Sequence, residues 1–434
     1  MRGFWLILLA GLLLACSAGA AGADPNDPYW PPEWGPRLTR ASDLWSLTTG
    51  NPSVVIAVVD TGLSQPLFRP AGQTTPIADL TQVVPGWNIV GNDANTADTF
   101  GHGTWISSII GALGNNGVGF AGYCWHCSIM PVRVAAGRDG TLAGNIAAGI
   151  RWAVDHGARI VNVSLASNQP DENELGALEY AQEHGVLVVT AAGNGGNTAP
   201  LYPAWYGTVW DNVLSVAGTD ENDALYGWST RGTWVDVAAP GCEEVIDPTS
   251  GPELGCGSSF GPPAVSGIAG LLLSLDPGLT VNQLVQALEG TAHPVSGIGG
   301  GEIDAWAAAH ALGLAPESPP APPAAPATAA PTAAPTVSPS PQVLVTTGVV
   351  RRSANFVLPL NPGELQLQLH GPAATDCAMS VRIAGDIYTD IPGERTLRTL
   401  AATIAKRGKY PVSIRCTSGN RKDYELTATA IFSH

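Results

Sequence analysis

Three side-chain types that together can carry out acyl transfer stand far apart in this chain. "VVIAVVDTGL" is an apolar run ending in Asp60. A carboxylate at the end of such a run is costly to bury unless it is paired. "FGHGTWISSIIGAL" sets His102 between two glycines where a helical pattern begins. "GCGSSFGPPAVSG" sets Ser258 and Ser259 ahead of another. An aspartate that orients a histidine, which in turn takes a serine's proton, turns an inert hydroxyl into a nucleophile. "VLVVTAAGNGGNTAP" adds Asn194 just past a strand-like run, where a side-chain amide can donate to a developing oxyanion. Each stretch alone has a plain structural explanation: a turn, a helix start, a Gly/Asn loop, a cap. Four together, in the order Asp, His, Asn, Ser and all at element ends, point to nucleophilic catalysis. The residues themselves leave open which serine reacts, because either could cap the helix that follows.

Such groups need a scaffold that holds them to within fractions of an ångström. "VVIAVVD", "IMPVRV", "RIVNVSL", "VLVVTAAG" and "VLSVAG" are near-continuous apolar runs, the pattern of strands covered on both faces. Between them lie helical patterns such as "TLAGNIAAGIRWAVDHG" and "ENELGALEYAQEHG", each closed by Gly. The alternation predicts a three-layer α/β domain with a parallel sheet. Ligands in such sheets bind at the carboxyl ends of the strands, where Asp60 and Asn194 fall.

The remaining composition sets the context. At 434 residues the chain is too long for one ordinary domain. Its net charge is −16, and the acidic excess lies before residue 343, where there is no lysine. No basic face is available there, so nucleic acid is not an expected partner. "MRGFWLILLAGLLLACSAGAAGADP" reads as a secretory signal, cleaved after Ala20 or Ala23. "LLAC" offers a second fate, lipidation of Cys16 and attachment to a membrane. Six of the seven cysteines then remain, an even set suited to an oxidising compartment. Sequence proximity pairs Cys124 with Cys127, Cys242 with Cys256, and Cys377 with Cys416. "CWHC" has redox spacing, but a strand-like run follows it where a redox motif would open a helix, which favours a structural loop disulfide. "APESPPAPPAAPATAAPTAAPTVSPSP" is a linker composition. Beyond it "ELQLQLHG", "YPVSIRC" and "YELTATAIF" alternate with period two, predicting a small all-β sandwich.

The motifs "NDPYW", "WGPRL", "VVDTG", "GHGT", "NVSLA", "AAGNGGNTAPLYPAWY", "VDVAAPG" and "GSSFGPPAVSG" resemble the subtilase (subtilisin-like serine peptidase) family, within it the thermitase-like branch. The resemblance covers about residues 25–312. It implies a subtilisin-like domain with Asp60, His102 and Ser259 as triad and Asn194 in the oxyanion hole. Ser259 takes the nucleophile's place because Gly257 and Ser258 stand where the family has Gly-Thr. The resemblance further implies that Ser164, Leu165 and Ala166, with Ala191, Ala192 and Gly193, wall the pocket for the residue before the cut bond. "VRVAAGRDG" would pair with the substrate backbone. The C-terminal part looks like the pre-peptidase C-terminal domains of secreted bacterial proteases. The expected organisation is signal peptide 1–23, peptidase domain 24–313, linker 314–342 and β-sandwich 343–434.

Departures from the family pattern are local. Trp105 and Ser107 alter the histidine segment; Phe260, Gly261, Pro262 and Ala264 alter the serine segment. None removes a reacting group. The chemistry needs no cofactor, but the branch implies structural calcium. Asp27 and Asn116 match side-chain ligands, with carbonyls near Leu113, Val118 and Phe120, while Leu67 falls where a third, acidic ligand belongs. A second site at "WNIVGNDANTA" keeps Asp93 and Asn95 but has Asn88, Gly91 and Ala97 elsewhere, so at most one site is expected. The residues before Val54 match a mature N-terminus rather than a folded propeptide. The expectation is a secreted, monomeric serine endopeptidase acting on polypeptides. Its rivals are a catalytically silent binding protein of the same fold and a thiol oxidoreductase using Cys124 and Cys127.

Overall fold

Side-chain parity along one strand fixes the layout. In β1 (Val55–Asp60), Ile56 and Val58 enter one hydrophobic core, while Ala57 and Val59 enter another. Period two therefore sends the Asp60 side chain towards the first core. The computed structural model describes residues 24–319, apart from 31–32, 66, 69–76, 138–142 and 248–250, and the backbone of strands between 342 and 431. The signal segment with Cys16, and residues 320–341 of the linker, lie outside the described residues.

Two short helices, α1 (Gly35–Leu38) and α2 (Ala41–Leu44), precede β1. After it come β2 (Leu67–Phe68), β3 (Ile77–Ala78) and β4 (Trp87–Asn88), then α3 (His102–Gly111). The alternation expected from sequence follows: β5 (Ser128–Arg133), α4 (Ala143–Asp155), β6 (Ile160–Val163), α5 (Glu172–Glu183), β7 (Leu187–Ala191) and β8 (Val213–Thr219). The unit ends with β9 (Val237–Pro240), a hairpin of β10 (Cys242–Asp247) and β11 (Gly251–Cys256), α6 (Gly261–Leu275), α7 (Val281–Gly290), β12 (His293–Pro294), β13 (Gly301–Glu302) and α8 (Ala305–Ala311).

One nine-stranded sheet has the order β12-β13-β9-β8-β7-β6-β1-β5-β4. It is parallel except for the β12–β13 pair. The first core lies on the side of α3, α6, α7 and α8, with Ile106, Ile268, Leu284 and Trp306 among its buried members. The second lies against α4 and α5, through Ile146, Ile150, Ala177 and Leu178. These are the three layers predicted. Ala315 and Pro316, assigned to the linker by composition, belong to this unit. Trp306 donates its indole N–H to the Pro316 carbonyl at 3.0 Å, and Ala315 is only 9% exposed.

Chain contacts define a second unit, Pro326–His434. Its strands are β14 (Gln342–Val350), β15 (Ser353–Leu360), β16 (Gly363–His370), β17 (Cys377–Ile383), β18 (Asp386–Thr389), β19 (Ile391–Pro392), β20 (Leu397–Ile404), β21 (Gly408–Cys416) and β22 (Lys422–Ile431). They form two antiparallel sheets, β14-β22-β16-β20-β19 and β15-β21-β17-β18. The alternation seen in sequence is thus that of an all-β unit.

Cys124–Cys127 and Cys242–Cys256 are disulfide-bonded, as proximity suggested. Cys124 and Cys127 are fully buried beside the first core, which suits a structural bond. Register places Cys377 opposite Cys416 on β17 and β21; their side chains lie outside the described residues.

Candidate active site

Asp60 ends β1 with no exposed surface. One oxygen, Oδ1, accepts the Thr61 backbone N–H at 2.7 Å. Both oxygens face Nδ1 of His102, at 2.8 and 3.0 Å. An ionised carboxylate can only accept, so Nδ1 carries a proton, and in the neutral ring this leaves Nε2 as the basic nitrogen.

His102 is the first residue of α3. Gly101 before it has φ +108°, a conformation suited to glycine. A Cβ on Gly103 would lie 2.3 Å from the Gly62 carbonyl oxygen, so only glycine lets the helix start approach the end of β1. The Gly103 N–H donates to the Thr61 hydroxyl at 2.8 Å and sews the two ends together.

No side chain at the N-cap closes α3. Asp98 does so from outside the helix. Its Oδ1 accepts the N–H groups of Phe100 (2.9 Å) and Gly101 (2.8 Å). Its Oδ2 accepts the Thr104 N–H (3.0 Å) and hydroxyl (2.7 Å). Four bonds from one carboxylate bracket His102 on both sides, and a negative group there also favours the helix N-terminus. Sequence reading passed over Asp98. The signal was an Asp four residues ahead of a histidine at a helix start.

Ser259 lies two residues before α6, whose N-cap is Phe260. Neither serine caps the helix, a role that the sequence left open for both. The reason is local: a cap satisfies the N–H groups of the second and third helical residues, and here those are Pro262 and Pro263, which have none. Ser258 is 1% exposed, and its backbone N–H donates to Oδ1 of Asn194 at 2.7 Å. A backbone N–H can face only an acceptor, so this contact fixes the amide and leaves Nδ2 as the donating end. The Ser259 hydroxyl donates to the Ser164 carbonyl at 3.2 Å, and the Ser164 hydroxyl donates to the Ser259 carbonyl at 2.8 Å.

The two aromatic departures from the family pattern meet at this point. The Trp105 and Phe260 rings stack with centroids 6.4 Å apart. They lie 6.1 and 6.5 Å from the His102 ring. The residue following Ser259 thus packs beside the imidazole.

The expected pocket walls are neighbours. Ser164–Ala166 follow β6, and Ala191–Gly193 close β7, which pairs with β6 in register Val163 to Thr190. Leu165 and Ala166 keep exposed surface, while Ala191, Ala192 and Gly193 are buried.

On the N-terminal side, Asp27 accepts the backbone N–H groups of Asn115 (2.5 Å), Asn116 (3.0 Å) and Gly117 (3.1 Å). The Asn116 amide donates to Oδ1 of Asp79 at 2.7 Å. Asp79 is fully buried, and its Oδ2 has no hydrogen-bond partner. Burial drives its carboxyl up to about 7, with Asp27 adding to the shift and the Asn116 bond opposing it. Burial also raises Asp27. Asp79 therefore stands with Asp27 and Asn116 as the acidic neighbour for which the sequence offered only Leu67. At the second loop, Asn88 donates to Asp93 at 3.0 Å, and Asp93 also accepts the Asn95 N–H.

A family model described as the subtilase family matches residues 51–321. Thermitase of Thermoactinomyces vulgaris is 39% identical over 277 residues, spanning 63% of this chain and 94% of thermitase. A thermophilic serine proteinase of Bacillus sp. (strain AK1) is 35% identical over 278 residues, spanning 63% of this chain and 65% of the relative. Among solved structures, one of proteases from Pseudoalteromonas arctica aligns with a TM-score of 0.57 and 26% identity, over 67% of this chain and 99% of that one.

Proposed function

The chain belongs to the subtilase family and is a serine-type endopeptidase acting on polypeptides, and we propose that its reacting groups are Asp60, His102 and Ser259, with Asn194 in the oxyanion hole. The observation that carries this assignment is the Asp60–His102 pair, bonded at 2.8 and 3.0 Å at the carboxyl end of β1.

The Ser259 hydroxyl attacks the scissile carbonyl carbon as His102 Nε2 takes its proton. Asp60 holds Nδ1–H throughout and stabilises the imidazolium. The new oxyanion is met by Asn194 Nδ2 and the Ser259 N–H. The carbon–nitrogen bond breaks as Nε2 returns its proton to the leaving amine. Water, activated by the same histidine, then hydrolyses the acyl ester and restores the serine. Ser164, Leu165, Ala166, Ala191, Ala192 and Gly193 form the pocket walls, and their size and apolar character suit apolar side chains before the cut bond.

Asp27, Asp79 and Asn116 would hold calcium. The fit rests on two buried carboxylates, one with an orphaned oxygen, which a hard cation with oxygen ligands would neutralise. Bound calcium would contribute charge compensation and tie the N-terminal segment to the 113–120 loop. Export is supported by residues 1–23, with Arg2 ahead of an apolar run; lipidation at Cys16 is the alternative fate.

Hydrolysis of an unstructured peptide by wild type and by Ser259→Ala tests the assignment. The variant should fold and be inactive. A fully active Ser259→Ala would refute it.

A further inference from the structure

We infer that Asn162 and Ser266, two polar side chains with no exposed surface, are positioning residues that hold the nucleophile through Ser164. The inference rests on the assignment of Ser259 as nucleophile. It begins with an anomaly in β6. In "IVNV", Ile160 belongs to the first core while Val161 and Val163 belong to the second. Parity therefore turns Asn162 towards the first core, under α6, where an apolar side chain would be expected. Burying an amide there is costly unless both its ends are bonded.

Both ends are bonded, in a line that leads to Ser259. Ser266, on the buried side of α6, has its hydroxyl 3.1 Å from Asn162 Oδ1. Asn162 Nδ2 is 3.0 Å from the Ser164 hydroxyl. That hydroxyl is 2.8 Å from the Ser259 carbonyl. One fact fixes the direction of every bond. The Ser259 carbonyl can only accept, so the single proton of Ser164 goes to it. Ser164 must then accept from Asn162, which places Nδ2 at Ser164 and Oδ1 at Ser266. Ser266 must donate. The whole chain runs one way, from the core of α6 to the backbone of Ser259, and each bond polarises the next.

The result is a nucleophile pinned on both flanks. The Ser258 N–H is held by Asn194, and the Ser259 carbonyl by Ser164. Between these two fixed peptide planes lies the plane that carries the Ser259 N–H, the second donor to the oxyanion. Tilting that donor weakens the transition state more than the bound substrate, so the loss falls on kcat rather than KM.

The test is a double-mutant cycle on Ser164→Ala and Ser266→Ala. It reads kcat and KM on a peptide, the rate of labelling at Ser259 by a fluorophosphonate, and the melting temperature. Ser164→Ala should lower kcat and the labelling rate by roughly tenfold, and Ser266→Ala by roughly threefold with KM unchanged. The double variant should match Ser164→Ala alone, because Ser266 acts only through Ser164. Effects that multiply, or a labelling rate untouched by Ser266→Ala, would overturn the relay while leaving the triad intact. Wild type that does not label at Ser259 would instead remove the nucleophile assignment and the relay with it. Should Ser266→Ala not fold, Asn162→Leu serves. It has nearly the same volume but neither donor nor acceptor, so it would leave Ser164 unheld and lower kcat and the labelling rate; wild-type activity in a folded Asn162→Leu would overturn the relay.

Discussion

Asp60 and Glu302 are both carboxylates at strand ends, with 0% and 1% exposure, and they are treated in opposite ways. Asp60 has a backbone donor and an imidazole on its oxygens. Glu302, on β13, accepts from the Thr219 hydroxyl at 2.5 Å, while its Oε1 has no hydrogen-bond partner. Burial pushes Glu302 up to about 8. The same contrast holds around each residue. Near Asp60, Asp98 and Asn194 spend their acceptor oxygens on backbone N–H groups that aim His102 and Ser259. On the other side, Glu243 receives the Tyr123 hydroxyl at 2.7 Å yet is also raised to about 8 by burial. Glu174, far from both in sequence, is fully buried with neither oxygen bonded and is likewise raised to about 8. Asp60 and Asp98 have hydrogen-bond donors on both of their oxygens. Glu302 and Glu243 each accept one hydroxyl and Glu174 accepts nothing, and burial raises all three, so that their ionisation opposes the fold.

Several substitutions probe that contrast. The largest effect belongs to the catalytic edge itself. His102→Ala should lower kcat by about 10⁶-fold, as loss of the corresponding group does in subtilisin, and should add little to Ser259→Ala. Separate, multiplying losses in the double variant would mean that the two side chains do not act as one unit. Asn194→Ala should lower kcat by about 10²- to 10³-fold with KM little changed, if Nδ2 is an oxyanion donor. A loss confined to KM would place it in substrate binding instead. Asp98→Ala removes four bonds around the helix start without touching substrate. Its kcat should fall by roughly tenfold, and Asp98→Asn, which keeps one acceptor oxygen, should recover part of it. Equal losses in both would show that the carboxylate's charge, not its geometry, matters.

The three buried glutamates predict a pH effect of opposite character, on stability rather than rate. Glu174, Glu243 and Glu302 have folded values near 8, above the usual 4.5 of a free glutamate. Between those values the unfolded chain releases protons that the folded chain keeps. Their contribution is therefore whole below about pH 4.5 and is lost as pH rises towards 8. Melting curves of Glu302→Gln against wild type, from pH 5 to 9, should show a shallower decline for the variant. Parallel declines would mean that Glu302 is not held protonated.

Much of the proposed catalytic edge was legible because its residues sit at element ends that sequence marks strongly. Asp60 closes an apolar strand, His102 opens a helix, and Asn194 follows a strand. The α/β alternation was legible for the same reason: runs buried on both faces leave an unmistakable apolar signature. Apart from Asp98, whose partners are local, what escaped were groups whose meaning lies in a partner far along the chain. Asn162 interrupts an apolar run, but only the fold brings Ser266 beneath it. Asp79 carries no motif of its own, and only the fold brings it to the Asn116 amide. That neither Ser258 nor Ser259 caps α6 was also written in the sequence, because Pro262 and Pro263 remove the donors a cap would serve.

The central claim is that Ser259, and not its neighbour, is the nucleophile aimed by the Asp60–His102 pair. Ser258 is buried and gives its N–H to Asn194, so it has a supporting place already. The most direct measurement is to label the folded, oxidised protein with a fluorophosphonate and to locate the adduct by mass spectrometry of the 242–275 peptide, in wild type, Ser258→Ala and Ser259→Ala. Label on Ser259 in wild type and Ser258→Ala, with none in Ser259→Ala, is the predicted result. Label on Ser258, or none in folded wild type, would contradict it.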